Sequence, residues 1–322
     1  MREDRMEARG SWRLPARPTA VALALAVAVA AGDSPPAAAQ ALPFHTETAL
    51  TAGFQENTVR ASVSGLGRSG AGEESLDVLL VGAGIIPFSI SSLWTVRVRI
   101  PWLNKELQVP GPGTAEPAFE TSGFGDPVVD TKWIFFRNDR PGATTRIGIQ
   151  AGVKAPLGKT DARLSGGEVA PRPLQVGSGS WDFPVKLVAT NSQGRWGVIG
   201  NLGWRFNTGA DGFEAGDVFS YDVALGFRLL PETYGNLRDQ TLVGYLELNG
   251  QVSRKDRVDR RRNADSGGHV LFLSPDLQWI PTPWLLFETS LQMPLVQKLN
   301  GSQLDHDVRF HLGSRIRFSI FR

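Results

Sequence analysis

The stretch RWGVIGNLGWRFN, residues 195–207, sorts its side chains by parity. Trp196, Val198, Gly200, Leu202, Trp204 and Phe206 fall in one row, and Arg195, Gly197, Ile199, Asn201, Gly203, Arg205 and Asn207 in the other. In an extended strand successive side chains point to opposite faces, so this segment carries aromatic and aliphatic bulk on one face and mainly small, amide or arginine groups on the other. A helix would mix the two rows. Such a strand wants an apolar solvent on its Trp and Phe face and a polar one on its Arg face.

The same alternation recurs along the chain. In 146–155 Arg146, Gln150 and Lys154 stand opposite Ile147, Ile149, Ala151 and Val153; in 219–229 Phe219, Tyr221, Val223, Leu225 and Phe227 stand opposite Ser220, Asp222, Ala224, Gly226 and Arg228. In 242–252 Leu242, Leu246, Leu248 and Val252 oppose Tyr245, Glu247, Asn249 and Gln251. In 307–321 Val308, Phe310, Leu312, Ile316, Phe318 and Ile320 oppose Arg309, His311, Arg315 and Arg317. Each run is about ten residues or more, the length of a tilted strand that crosses a bilayer.

Twelve such segments are predicted, at 44–63, 75–86, 92–103, 126–136, 144–156, 180–191, 195–207, 217–230, 240–253, 269–280, 284–296 and 307–321. Links after the even-numbered segments are short (PFSIS, RNDRPGA, QGR, PETYGNLRD, TPW), and those after the odd-numbered ones are mostly longer and polar or rich in Gly and Pro. Short turns on one side and long loops on the other is the construction of an outer-membrane barrel, with the short side facing the periplasm. Hydrocarbon offers no hydrogen bonds, so a sheet crosses it only when closed, apolar outside and polar toward a wet lumen. The fold expected is therefore an all-β, antiparallel transmembrane β-barrel of about twelve strands over residues 42–322. Trp102, Trp133, Trp181, Trp196, Trp204, Trp279 and Trp284 are candidates for its two interfacial girdles.

Composition agrees with this class. Among 322 residues, 34 Lys and Arg stand against 32 Asp and Glu, a net charge of +2 that gives no reason to expect nucleic-acid binding. The absence of cysteine excludes disulfides, zinc-thiolate sites and thiol catalysis. Residues 1–41 read as a cleaved secretory signal: five arginines from Arg2 to Arg17, the apolar run TAVALALAVAVAA, then small residues with Ala37/Ala39 or Ala39/Ala41 as the cleavage pair. The run is shorter than the roughly 20 residues of a spanning helix.

GFGDPVVDTKW (123–133), KAPLG (154–158), GSGSWD (177–182), LELNG (246–250) and LSPDLQWIP (273–281) resemble, in this order, landmarks of the bacterial outer-membrane family labelled putative MetA-pathway of phenol degradation. The resemblance runs from about Phe44 to the end of the chain. It implies an outer-membrane channel or transporter that admits small apolar or aromatic molecules. Asp276 stands where Gly is expected in an SPGLQ-like motif, and the chain ends Phe321-Arg322 rather than on the terminal aromatic preferred for barrel assembly.

Catalytic motifs dissolve on inspection. GLGRSG (65–70) has the Gly spacing of a dinucleotide loop but is followed by a turn and a strand, not a helix. LGKT (157–160) has Val153 where a P-loop needs its first Gly, and GSGS (177–180) lacks the nucleophile-elbow spacing. His45, His269, His306 and His311 are scattered and read as structural or lumen residues, so neither a metal nor another cofactor is expected. Two rival functions remain at this stage: a barrel-borne lipid enzyme and a soluble secreted ligand-binding β-protein.

No catalytic residue is assigned. The inward rows nominate Arg97, Arg99, Asp130, Lys132, Arg146, Lys154, Asp182, Lys186, Arg205, Arg228, Glu247, Glu288, Arg309, Arg315 and Arg317 as lumen-lining residues, an excess of cations that would favour anions or neutral aromatics. Expected partners are outer-membrane lipid, a small-molecule substrate, the barrel-assembly machinery, and lipopolysaccharide phosphates at the arginine run RKDRVDRRR (254–262).

Overall fold

The computed structural model describes residues 43–50, 56–70, 74–109, 118–236 and 239–319. The expected signal segment and the C-terminal Phe321-Arg322 lie outside the described residues. Among them, twelve long antiparallel strands form a closed barrel. They are β1 Glu56–Ser69, β2 Ser75–Ser91, β3 Trp94–Gln108, β4 Val128–Arg140, β5 Ala143–Lys154, β6 Asp182–Gln193, β7 Trp196–Asn207, β8 Val218–Leu230, β9 Thr241–Ser253, β10 Gly268–Thr282, β11 Leu285–Leu299 and β12 Arg309–Ser319. Each strand pairs with its sequence neighbours, and β12 returns to β1 in continuous register from Glu56↔Ser319 to Gly65↔Phe310, which closes the wall. Closure satisfies every edge, the condition for a sheet in hydrocarbon.

The two faces carry opposite chemistry. Outward rows expose Val198, Leu202, Val223, Leu225, Leu246 and Leu248, while the buried inward rows hold Asp130, Lys132, Asn201, Asp222, Glu247, Asn249, Gln278, Glu288 and Arg315. A soluble sandwich would be built the other way round. Outward aromatics collect at both ends of the strands: Trp196 with Phe227 (ring centroids 4.4 Å apart) and Trp279 with Phe287 (5.9 Å) at the short-turn end, Trp204 with Phe206 (5.8 Å) and Phe219 (5.7 Å) at the other. These are the two girdles.

Loop lengths sort as expected, with local corrections. Two-residue turns at 92–93, 141–142, 194–195 and 283–284 and the link 231–240 mark the periplasmic side. Gly142 (φ 72°) and Gly194 (φ 58°) supply the left-handed backbone that tight hairpins need. The segment PFSIS, expected as a link, is the end of β2, whose backbone stays paired with β3 as far as Ser91↔Trp94. The outer connections are 70–74, 109–127, 155–181, 208–217, 254–267 and 300–308, of which the first is short. The largest correction concerns the first strand, expected at 44–63. The wall begins at Glu56, and residues 43–50 leave it altogether. In FHTETAL neither row is apolar, since Thr46 and Thr48 alternate with His45 and Glu47, so the segment has no face for lipid.

This topology predicts that a protease site inserted at Gly167 or Gly267 is cut on intact cells, and that one at Gly194 is cut only after the outer membrane is opened. The opposite pattern would invert the barrel.

Above the hydrocarbon level the wall is uneven. The short strand Phe119–Phe124 pairs with the upper part of β3, from Trp102 to Leu107, and β4 takes over the lower part, from Trp94 to Arg99. The handover falls at Gly125-Asp126-Pro127. Loops 208–217 and 254–267 carry a separate four-stranded sheet of two-residue strands at 209–210, 213–214, 257–258 and 261–262.

Candidate functional site

Residues 43–50 lie inside the barrel. Glu247, on the inward face of β9, gathers consecutive backbone donors: Phe44 N–H (2.8 Å) and His45 N–H (3.0 Å) donate to Oε1, and Thr46 N–H (2.6 Å) and its hydroxyl donate to Oε2. Asp276 on β10 accepts a second bond from Phe44 N–H at 3.1 Å. Glu47 N–H donates to Asn201 Oδ1 on β7 (2.7 Å), and Ala49 N–H donates to Thr190 Oγ1 on β6 (2.9 Å). A segment without a strand partner must have its backbone groups satisfied by side chains, and here the wall supplies them.

The side chains add charge. Glu47 pairs with Arg97 of β3 (2.7 Å) and Lys132 of β4 (3.0 Å), while Lys132 also donates to Thr48 O (2.8 Å) and Leu50 O (2.7 Å). Burial opposes ionisation of Glu47, but Arg97 and Lys132 prevail and hold it well below the usual carboxylate range. His45 Nε2 shares a 2.9 Å hydrogen bond with Ser290 Oγ of β11, and burial lowers its imidazole to about 4, so the ring is neutral at pH 7. Ala49 packs on Ile134 and Val188, an apolar cluster inside the lumen. Contacts thus reach β1, β3, β4, β6, β7, β9, β10 and β11, and the segment occupies the lumen's cross-section as a plug.

A second cluster sits at the outer rim. Asp126 accepts Gly158 N–H (2.8 Å) through Oδ1 and Ser178 N–H (2.8 Å) and O–H (2.7 Å) through Oδ2, with Lys154 Nζ 3.5 Å away and also paired to Asp182. Burial opposes its ionisation, and the hydrogen bonds from Ser178 and Gly158 outweigh this and hold its pKa below the usual carboxylate value. The backbones at 158 and 177 nearly touch: a Cβ on Gly177 would lie 2.3 Å from Gly158 O, so glycine is required there. The knot fixes both ends of loop 155–181. Between them the buried Gln175 side chain bonds Ala162 N–H, Ala162 O and Ala170 O, and Lys105 donates to Pro173 O and Gln175 O on the inner face of β3. Arg172 then pairs with Asp211 of the loop after β7, so the loop leans over the mouth.

The sequence-nominated residues fall into groups. Arg97 and Arg99 share Asp130 (2.8 and 3.1 Å), and Arg97 and Lys132 hold the plug. Arg315 and the unnominated Arg60 clamp Glu288 (2.7 and 2.6 Å) beside it. Lys186 pairs with Asp222 at 3.6 Å, and Lys154 and Asp182 belong to the rim knot. Arg205 is exposed toward the outer mouth. Arg309 lies over the Phe272 ring (4.4 Å) and bonds Gln292 (3.2 Å). Arg146 pairs with Asp139 (2.9 Å) and Arg228 covers Tyr234 (4.2 Å), both near the periplasmic turns, where the half-buried Arg317 also lies. Sequence reasoning missed Glu47, Arg60 and Asp126. The signal for Glu47 was the missing apolar row of FHTETAL.

The family described as "Putative MetA-pathway of phenol degradation" matches residues 87–294. The chain belongs to this family. Among solved structures, the COG4313 outer membrane channel from Pseudomonas putida F1 superposes with a TM-score of 0.56 at 13% identity, covering 87% of this chain and 100% of that one. The beta domain of the Bordetella autotransporter BrkA gives 0.46 at 10% identity, over 82% and 99%. No curated protein matches the sequence. The closed barrel with its apolar outer face, and its likeness in fold to the COG4313 channel, place the protein in the bacterial outer membrane.

The landmarks of family resemblance acquire a physical meaning. GFGDP, KAPLG and GSGSWD meet in the Asp126 knot, and LELNG and LSPDLQWIP bring Glu247, Asn249, Ser274 and Asp276 to the plug. Asp276, the departure from the family pattern, makes a bond to Phe44 that glycine has no side chain to make.

Proposed function

We propose that the protein is an outer-membrane channel for small apolar or aromatic molecules, gated by its own N-terminal segment. The observation that carries the reading is the plug: a peptide held across the lumen by hydrogen bonds and ion pairs is released without rebuilding the wall. Family membership and the likeness to a barrel described as a channel support it. Large hydrophilic solutes find the cross-section filled, and the paired lumen charges leave the field weaker than the cation excess of the walls suggests, because Glu47 and Asp126 add acids to it. The test is uptake into proteoliposomes of an aromatic solute such as phenol against a sugar of similar size. Faster entry of phenol than into protein-free vesicles, with little sugar entry, is expected; equal protein-dependent acceleration of both would overturn aromatic preference, and no acceleration of either would overturn the channel.

No observation favours a lipid enzyme. Among the described residues the two close Ser–His contacts, His45 with Ser290 and His311 with Ser64 (2.7 Å), lie inside the barrel and away from its lipid-facing rim.

The basic finger supports a lipopolysaccharide partner. Arg254 lies over the girdle residue Trp204 (5.7 Å), and Lys255, Arg257, Arg260, Arg261 and Arg262 are exposed above it. Arg257 pairs with Glu214 (2.7 Å), and Arg254 with Asp217 (3.2 Å), whereas Arg260, Arg261 and Arg262 make no ion pair among the described residues. Outer-leaflet phosphates match guanidinium pairs at this level. Replacing Arg260, Arg261 and Arg262 by Gln is expected to cut lipopolysaccharide affinity about tenfold at low salt, read by binding of fluorescent lipopolysaccharide to the detergent-solubilised barrel. Unchanged affinity would leave the finger a solvated loop.

A further inference from the structure

The Phe44 ring sits among groups that suit an aromatic ligand. The Arg60 guanidinium lies over its face at 4.5 Å, and the His45 and His311 rings approach at 5.0 and 5.1 Å, with the two imidazoles edge-on to each other at 4.6 Å. Arg60 is held by Glu288 (2.6 Å) and His311 by Ser64 (2.7 Å), so the walls of this niche stay in place without Phe44. Beside the ring, Glu247 and Asp276 accept the Phe44 and His45 N–H groups. Once the segment withdraws, those carboxyl groups lose their peptide donors. A cationic face, an aromatic edge and a vacated carboxylate acceptor form a constellation that recognises a planar ring bearing a hydrogen-bond donor.

We propose that the Arg60–His311 niche is an aromatic-binding subsite of the lumen, specific for a monoaromatic ring with one donor group such as a phenolic hydroxyl, and that Phe44 occupies it as a tethered competitor. The ring of the solute takes the place of the Phe44 ring, and its hydroxyl donates to Glu247 or Asp276 where the peptide N–H groups donated. Binding of solute and docking of the plug are then mutually exclusive, and the solute helps open the path it uses. This inference rests on the channel reading for its biological sense, but the subsite stands or falls on binding alone. Because the docked segment reduces the fraction of molecules with a free niche, apparent affinity rises when docking is weakened.

The test uses the full-length barrel in detergent and 4-fluorophenol, followed by 19F NMR. Phe44→Ala is expected to tighten binding at least tenfold over the wild type, and Phe44→Leu, which keeps bulk without a π face, to fall between. Adding Arg60→Gln to Phe44→Ala should abolish most of the gain, and Arg60→Lys should retain part of it through the remaining charge. Fluorocyclohexanol, with the same donor but no ring, should gain less than threefold. Equal gains for the two probes, or no gain with Phe44→Ala, would overturn the subsite. Tightened binding without uptake of phenol in proteoliposomes would uphold the subsite and sink the channel reading; uptake without tightened binding would do the reverse.

Discussion

Replacing Glu47 by alanine is expected to convert an occluded barrel into a conducting one. Glu47 neutralises Arg97 and Lys132 together, and the Arg97 and Lys132 side chains are only 11% and 5% exposed. Removing one member of a buried pair typically costs about 3–5 kcal/mol, because the other is left buried without its counter-charge. Arg97 keeps Asp130, so the lower end applies, and Lys132 keeps only backbone acceptors on the segment itself. A loss of about 3 kcal/mol shifts the docked-to-released ratio roughly a hundredfold. The wall has no share in this interaction beyond those two cations, so the barrel itself should fold as before. Planar-bilayer recording should show the variant open for most of the time where the wild type is mostly closed. Wild-type conductance in Glu47→Ala, with the folded barrel confirmed by its resistance to detergent, would mean that the plug is a permanent part of the lumen.

The second large effect is on the outer face. Leu225 on β8 and Leu248 on β9 are outward, 45% and 42% exposed, and lie between the two aromatic girdles, Leu248 opposite Val223 midway and Leu225 one outward position from Phe227. An arginine at Leu248 faces hydrocarbon near the midplane and should destabilise the barrel by about 2–4 kcal/mol, with a smaller loss at Leu225 nearer the girdle. Gln251, on the inward face of β9 and exposed at the mouth, should accept the same substitution with little loss. Asn249, which parity alone marks as equally tolerant, is not an equivalent control: it is buried, donates to Asp222 (3.3 Å) and accepts from Ser274 (3.0 Å). Urea titration of protein folded into lipid vesicles measures all of these. Equal destabilisation at Leu248 and Gln251 would refute the assignment of faces.

Parity in the sequence was enough to place the wall because a strand has a period of two and the two solvents differ in kind. Every strand from β2 to β12 overlaps its predicted segment, and several run past its expected end, as β2 does through PFSIS, β3 to Gln108 and β4 to Arg140. Arg97, Lys132, Glu247, Glu288 and Arg315, nominated by the same parity, are buried side chains. What each does there was not legible. Arg97 and Lys132 bind Glu47, Glu288 is held by Arg60 and Arg315, and Glu247 receives three peptide N–H groups, and these partners come from segments up to 228 residues apart. Parity tells which face a side chain occupies and carries no information about what meets it across the barrel. The plug shows the limit most clearly. A segment with two polar rows can be satisfied only by partners outside itself, and closure of the barrel brings Glu247, Asn201, Thr190 and Asp276 within reach of one peptide. The Asp126 knot has the same origin, since GFGDP, KAPLG and GSGSWD are separated in the chain and converge only because β4, β5 and β6 rise side by side to the same rim. The sequence by itself determined a closed sheet with lipid outside and polar groups inside, through a local periodicity. Only the tertiary structure decided that the lumen is plugged and by which contacts, because those contacts are made across the interior between residues that no local pattern relates.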